Sequence, residues 1–277
     1  MIAILNSKVM SQHTIDGVTF LKFNIFNKYK NINHAVSTRH GGVSELENLK
    51  TLNLGFSTKD SPENVTENYR RFCNAAGFDV NKLVFAKQTH TANVKEVTQD
   101  DWGKGIFKER DYTDIDALVT NVPGTGLVIH TADCVPVTFF DTKNTAVANA
   151  HCGWRGTYGE LAKATLNKMT ELYGTNPKDV ACAIGPCICK SCYEVSDDLY
   201  LSFYEKFGFD EGIIHQNKKY YLDLGAINRH ILIKAGVPDN NIEVCDLCTC
   251  CNKDDLFSHR GLGPQRGLLS GIIKIME

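Results

Sequence analysis

The stretch GLVIHTADCVPVTFFDTKNTAVANAH, residues 126–151, decides the fold class. It reads as three β-strands in quick succession: Gly126–His130, Val135–Phe140 and Ala146–His151. The last two are joined by the turn-like Asp141-Thr142-Lys143-Asn144. Parallel neighbours need a crossover of about a dozen residues or more, so strands this close must pair antiparallel or lie in different sheets. A doubly wound nucleotide fold is disfavoured, and the chain contains neither G-x-G-x-x-G nor a Walker sequence.

Working outward, strand signals recur at Val18–Phe26, Leu83–Lys87, Ala117–Val122, Val180–Ile184 and Tyr220–Leu222. The clearest helix starts after Ser61 as N-cap with Pro62 at its first position. Val65, Tyr69, Phe72 and Ala76 line one face, and Gly77 ends it. A second helix is predicted from Thr157, where Thr157 and Glu160 fit a capping box, with Ala162, Leu166, Met169 and Tyr173 as its buried face. Further helices are expected at about 196–206 and 224–235. Helices separated by runs of such strands indicate an α+β architecture with sheets covered by outer helices. With no repeat, low-complexity run or Pro/Gly/Ser linker, residues 1–277 read as a single domain.

Composition sets the class. Of 277 residues, 43% are apolar and 22% charged, which is globular and excludes a disordered chain. A net charge of −2 provides no global basic field to recruit nucleic acid. No apolar run approaches the ~18 residues of a membrane span, and the N-terminus does not read as a signal peptide. The expected location is the cytoplasm. Of the eleven cysteines, the first 130 residues hold just Cys73, while Cys182, Cys187, Cys189, Cys192, Cys245, Cys248, Cys250 and Cys251 crowd two later stretches. In a reducing compartment these are thiols or metal ligands rather than disulfides.

Three signatures carry chemistry: Gln88-Thr89-His90, Thr131–Pro136 around Asp133-Cys134, and His151–Thr157. His90, Cys134 and His151 make a plausible Zn2+ set, and three protein ligands leave a fourth position open, as in catalytic rather than structural zinc sites. Spacings of 44 and 17 residues carry little weight by themselves, and a buried thiol with two hydrogen-bonded histidines is the plainer reading of pattern alone. The same sulfur could instead be a nucleophile with His151 as its base.

Anion-binding groups surround these signatures. Arg39 sits in Ser37–Ser44 with the Gly41-Gly42 pair, Arg155 lies just before the expected helix, and Arg260 and Arg266 lie in Gly-containing tail segments. Asp133 is either a proton carrier or a turn cap. The segments Cys187-x-Cys189-x-x-Cys192 and Cys245-x-x-Cys248-x-Cys250-Cys251 resemble metal knuckles, although neither pairs cleanly. Together they could supply four thiolates for a structural zinc or an iron–sulfur cluster.

Taken together, the ordered motifs resemble the YfiH family, also called laccase-domain or polyphenol oxidase-like proteins. They include S-x-R-x-G-G-V-S at 37–44, Leu52–Gly55, Gln88–Val94, Thr131–Pro136, His151–Thr157, Ile184–Pro186 and Cys192–Val195. Asp223-Leu224 with Asn228, Cys248-Thr249 and Phe257–Arg260 complete the set. The resemblance implies a four-layer α/β/β/α fold with mixed sheets, akin to the cytotoxic necrotizing factor catalytic domain. It implies zinc at His90, Cys134 and His151, and a purine nucleoside phosphorylase acting on adenosine, inosine or guanosine with phosphate. Adenosine deamination and methylthioadenosine phosphorolysis are implied side activities. Phosphate positioning is expected from Arg39, with Arg155 and Arg260 as helpers, and catalysis from Cys134, His151 and Asp133. The other reading is a cytosolic amide hydrolase editing peptidoglycan precursors. Cys152 stands where Ala is common in the motif. Nine histidines occur without one H-x-H, which disfavours multicopper oxidation and makes any copper an adventitious occupant of the zinc site.

Overall fold

The computed structural model describes residues 5–208 and 212–277; the apolar opening of the chain begins at residues 1–4, outside the described residues. In chain order the strands begin with β1 (Met10–Ile15), β2 (Val18–Phe23), β3 (Ile32–Ser37), β4 (Leu83–Phe85) and β5 (Val94–Glu96). Next come β6 (Ala117–Thr120), β7 (Gly126–Thr131), β8 (Val135–Asp141), β9 (Ala146–Cys152) and β10 (Val180–Ile184). The last are β11 (Glu194–Val195), β12 (Ile213–Gln216), β13 (Lys219–Leu222), β14 (Ile242–Val244) and β15 (Leu269–Ile275). The helices are α1 (Pro62–Ala76), α2 (Trp154–Tyr158), α3 (Leu161–Tyr173), α4 (Asp197–Phe207), α5 (Leu224–Lys234) and α6 (His259–Leu262).

The quoted stretch resolves as its short connections require. β8 and β9 pair antiparallel, with Pro136 opposite His151, while β7 belongs to a different sheet. The first sheet runs β1-β2-β3-β15-β7-β4 and the second β14-β10-β8-β9-β6-β5. Both are mixed, because β4–β7, β5–β6 and β10–β14 are parallel. A small third sheet holds β11, β13 and β12.

Three apolar layers make the four-layer α/β/β/α sandwich. Val65, Tyr69 and Phe72 of α1 pack on Phe20, Val128 and Ile272 of the first sheet. Leu127, Ile129 and Ile273 point the other way, between the sheets, where they meet Phe140 and Val147. Phe139 and Ala148 then face Leu166, Met169 and Ile227 of the outer helices. Neighbouring residues thus bury on opposite faces, which is why these strands read as continuous apolar runs rather than alternating ones. Asn149 stitches the two sheets together: its amide donates to Leu127 O at 3.1 Å and Gly271 O at 2.9 Å.

The first helix forms as expected. Ser61 Oγ accepts from the Asn64 amide at 3.1 Å, and Gly77 closes the helix at φ 78°. The helix expected from Thr157 is corrected. The chain makes two helices, α2 and α3, broken at Gly159 and Glu160, with Glu160 at φ 55°. The capping box fails because the Thr157 hydroxyl is committed elsewhere, donating to Cys152 O and accepting from Asn228 Nδ2 at 2.9 Å.

Candidate metal centre

The link Ala132-Asp133-Cys134 crosses from β7 in one sheet to β8 in the other, so Cys134 sits at the seam between them. Asp133 holds the crossing in a left-handed conformation, φ 88°, and both carboxylate oxygens are occupied. Thr249 Oγ1 donates to one and the Arg260 amide to the other, each at 2.6 Å. These two hydrogen bonds clamp the turn. His151 lies near the end of β9, the antiparallel partner of β8, which brings it to the same sheet edge as Cys134.

His90 arrives from the loop after β4. The Gln88 side chain fixes that loop, donating to His130 O at 2.8 Å and accepting from His130 N at 2.7 Å. Asp116, which the sequence reading missed, organises the rest. Its carboxylate accepts from the amides of Thr89, His90 and Thr91 at 3.1, 3.1 and 2.7 Å, and from His151 Nδ1 at 2.8 Å. Burial works to raise its pKa, but the His151 contact and the backbone amides outweigh it and hold it at about 2. No local motif marks this aspartate, because its partners lie 25 to 35 residues away.

The three donors converge. One ligand atom each from His90, Cys134 and His151 lies within 4.8 Å of the others, and Cys134 Sγ is 3.9 Å from His90 Nε2. The Asp116 contact at Nδ1 leaves Nε2 of His151 as the ligand atom, the arrangement in which a carboxylate orients a metal-binding imidazole. Gly153 is required beside them. A Cβ there would stand 2.9 Å from the His90 ring and 3.0 Å from Cys134 Sγ. Burial opposes ionisation of both Cys134 and His151, yet their mutual attraction lowers the thiol and, with Asp116, raises the imidazole. A thiolate donor flanked by two imidazoles, one of them oriented from behind, fits zinc.

These donors open into a cavity of about 390 Å³, within the range of small-molecule sites. Phe56 and Leu268 give it apolar surface, with Phe85 packed behind Phe56, and Lys87, Arg110 and Arg266 give it positive charge. Arg266 Nε is buried without a hydrogen-bond partner. A larger hollow of about 670 Å³ beside the third sheet, lined by Lys190, Tyr221 and Asp223 among others, lies apart from these donors.

The cations expected to hold phosphate do not line this cavity. Arg39 donates to Lys50 O at 2.8 Å and Lys253 O at 2.7 Å, with its guanidinium over Phe257. Arg155 lies inside the first turn of α2 rather than before it, exposed and stacked on Trp154. Arg260 donates to Cys192 O and Glu194 O. Arg110 and Arg266 are the arginines that reach the site. Cys152 is buried in the helix-side core.

The sequence matches the family described as multi-copper polyphenol oxidoreductase laccase over residues 33–276. The chain belongs to that family. Within it, a protein from Bacteroides thetaiotaomicron named purine nucleoside phosphorylase is 36% identical over 260 residues, spanning 91% of this chain and 95% of its own length. A protein of an unknown prokaryotic organism, named adenosine deaminase RL5, is 33% identical, spanning 84% and 90%. The crystal structure of the hypothetical protein YfiH from Bacillus licheniformis superposes with a TM-score of 0.86 at 31% identity, covering 92% of this chain and 96% of that one. The YfiH resemblance and the mixed-sheet α+β fold are thereby borne out. Among the described residues no helix is long and apolar enough to cross a membrane.

Proposed function

We propose that the protein is a zinc-dependent purine nucleoside phosphorylase, converting adenosine, inosine or guanosine and phosphate to the free base and ribose 1-phosphate. Adenosine deamination and methylthioadenosine phosphorolysis are its side activities, and residues 1–277 act as one catalytic unit in the cytoplasm. The observation that carries this reading is the convergence of His90, Cys134 and His151 on a cavity lined by Arg266, whose Nε has no hydrogen-bond partner. Relatives named purine nucleoside phosphorylase and adenosine deaminase support it.

His90, Cys134 and His151 would hold the ion, which supplies Lewis acidity toward a substrate oxygen or a water. The apolar wall formed by Phe56 and Leu268 receives the purine. Arg266, assisted by Arg110, holds phosphate in line with the ribose C1′, the positioning on which phosphoryl-oxygen attack depends. Arg266 replaces Arg39 in this role because Arg39 already serves two carbonyls. Asp116 keeps His151 oriented and keeps its Nδ1 proton in place. Copper chemistry on phenols is not part of this reading, since the site presents a single His/His/Cys set.

The contact of Cys134 with His151, backed by Asp116, also has the form of a thiol–imidazole–carboxylate triad and favours the amide hydrolase as a second reading. One assay separates them. Zinc-loaded protein is incubated with inosine, with and without phosphate. Phosphate-dependent release of hypoxanthine supports the phosphorylase. No release under either condition, with cleavage of an amide-linked muramyl precursor, replaces it with the hydrolase.

A further inference from the structure

We propose that Cys189, Cys192, Cys248 and Cys251 bind one Zn2+ as a tetrathiolate, a second and structural metal site that braces the turn carrying Cys134. In the sequence the surplus cysteines at 187, 245 and 250 hide the pattern. The fold selects two clean C-x-x-C pairs, 189/192 and 248/251, and brings them face to face.

The four sulfurs all lie within 4.8 Å of one another, and Cys192 Sγ and Cys251 Sγ are 3.5 Å apart. Zinc–sulfur bonds of about 2.3 Å in a tetrahedron place the sulfurs roughly 3.8 Å apart. That edge fits a single ion. An iron–sulfur cluster interposes a larger core and spreads its ligands further.

The surrounding backbone is arranged for thiolates. The amides of Cys189 and Cys251 both donate to Cys248 Sγ, at 3.2 and 3.4 Å. Such donors offset the negative charge of four thiolates on a dication. The two loops are already joined, Cys187 bridging to Cys248 and the Thr249 amide donating to Cys187 O at 3.1 Å. Cys187 is buried and Cys245 Sγ contacts Met10 Sδ at 3.3 Å, which leaves these two outside the quartet. Each zinc bound there displaces the thiol protons and forms four Zn–S bonds, without any change of oxidation state.

The position gives the ion a purpose. Ile188, on the first loop, donates its amide to Asp133 O at 3.0 Å, and Thr249, on the second, donates to the Asp133 carboxylate. Tying the loops together therefore fixes the left-handed residue immediately before Cys134.

The test is metal content of the full chain purified from zinc-supplemented growth, independent of turnover. Wild-type protein is expected to carry two zinc ions, a His90→Ala/Cys134→Ala variant to keep one, and a Cys189→Ser/Cys251→Ser variant to lose about half of the metal. Cobalt loaded into the His90→Ala/Cys134→Ala variant should give the strong thiolate-to-metal absorption of a tetrathiolate. Should the serine variant fail to fold, the two-ion wild type and the cobalt spectrum decide. Loss of all metal from His90→Ala/Cys134→Ala, iron in place of zinc, or a Cys192–Cys251 disulfide in the intact mass would each overturn the proposal. Failure of the phosphorylase reading would leave these outcomes untouched.

Discussion

Asp116 Oδ1 lies 2.8 Å from His151 Nδ1 while the same carboxylate receives three consecutive backbone amides from the loop that carries His90. One side chain thus sets the positions of two of the three donors. Asp116→Asn, which cannot accept the Nδ1 proton with a charged oxygen, is expected to weaken zinc binding about 10- to 100-fold. Competition against a chromophoric chelator measures it; unchanged affinity would remove Asp116 from the centre.

Gly153→Ala places a methyl against His90 and Cys134 without touching either ligand's chemistry. The expected result is loss of the zinc held by His90, Cys134 and His151, with the tetrathiolate zinc retained, and loss of activity with the far-ultraviolet circular dichroism unchanged. Cys134→Ala should do the same by deleting a donor. Full zinc content in both variants would contradict the ligand set.

Two arginines should separate cleanly. Arg266→Ala is expected to raise the KM for phosphate at least about tenfold, with Arg266→Lys recovering part of it, because a hydrogen bond from a charged donor is worth about 1.5–3 kcal/mol. Arg39→Ala should leave that KM unchanged and cost about 2 kcal/mol of stability, since its guanidinium ties Lys50 O to Lys253 O. Initial rates across a phosphate series and urea unfolding check the two halves.

Stability should fall on acidification through a buried imidazole remote from the centre. His34 Nε2 accepts the Phe23 amide at 2.7 Å, and burial, reinforced by Lys22, lowers its pKa to about 3. The unfolded chain takes up this proton near 6.5 and the native state does not, so native stability is full above pH 6.5 and declines as pH drops toward 3. At pH 5 the loss is about 2 kcal/mol. His34→Gln, which keeps an acceptor and cannot titrate, should flatten the urea midpoint between pH 7 and 5 relative to wild type.

How far the sequence carried depended on whether the signal was local. Ser61, Pro62 and Gly77 mark α1 because caps are written next to the helix they close. The short links around Asp133 and Asp141 gave the sheet separation for the same reason. Strand β15 went unread since Ser270-Gly271 interrupts its apolar run, and Thr157 misled because its hydroxyl answers to Asn228, 71 residues away. His90, Cys134 and His151 stood out as residue types, whereas Asp116 and Arg266 acquire meaning only from neighbours that folding supplies.

Strand β15 lies inside the first sheet, hydrogen-bonded to β3 on one side and β7 on the other, although it is made after both. A ribosome that has released everything up to residue 268 has therefore produced a sheet with a missing central plank. The pocket, whose wall includes Leu268, can close only after residues 269–275 have emerged and paired. Truncated products should be chemically silent and prone to recruit a stray strand from another chain.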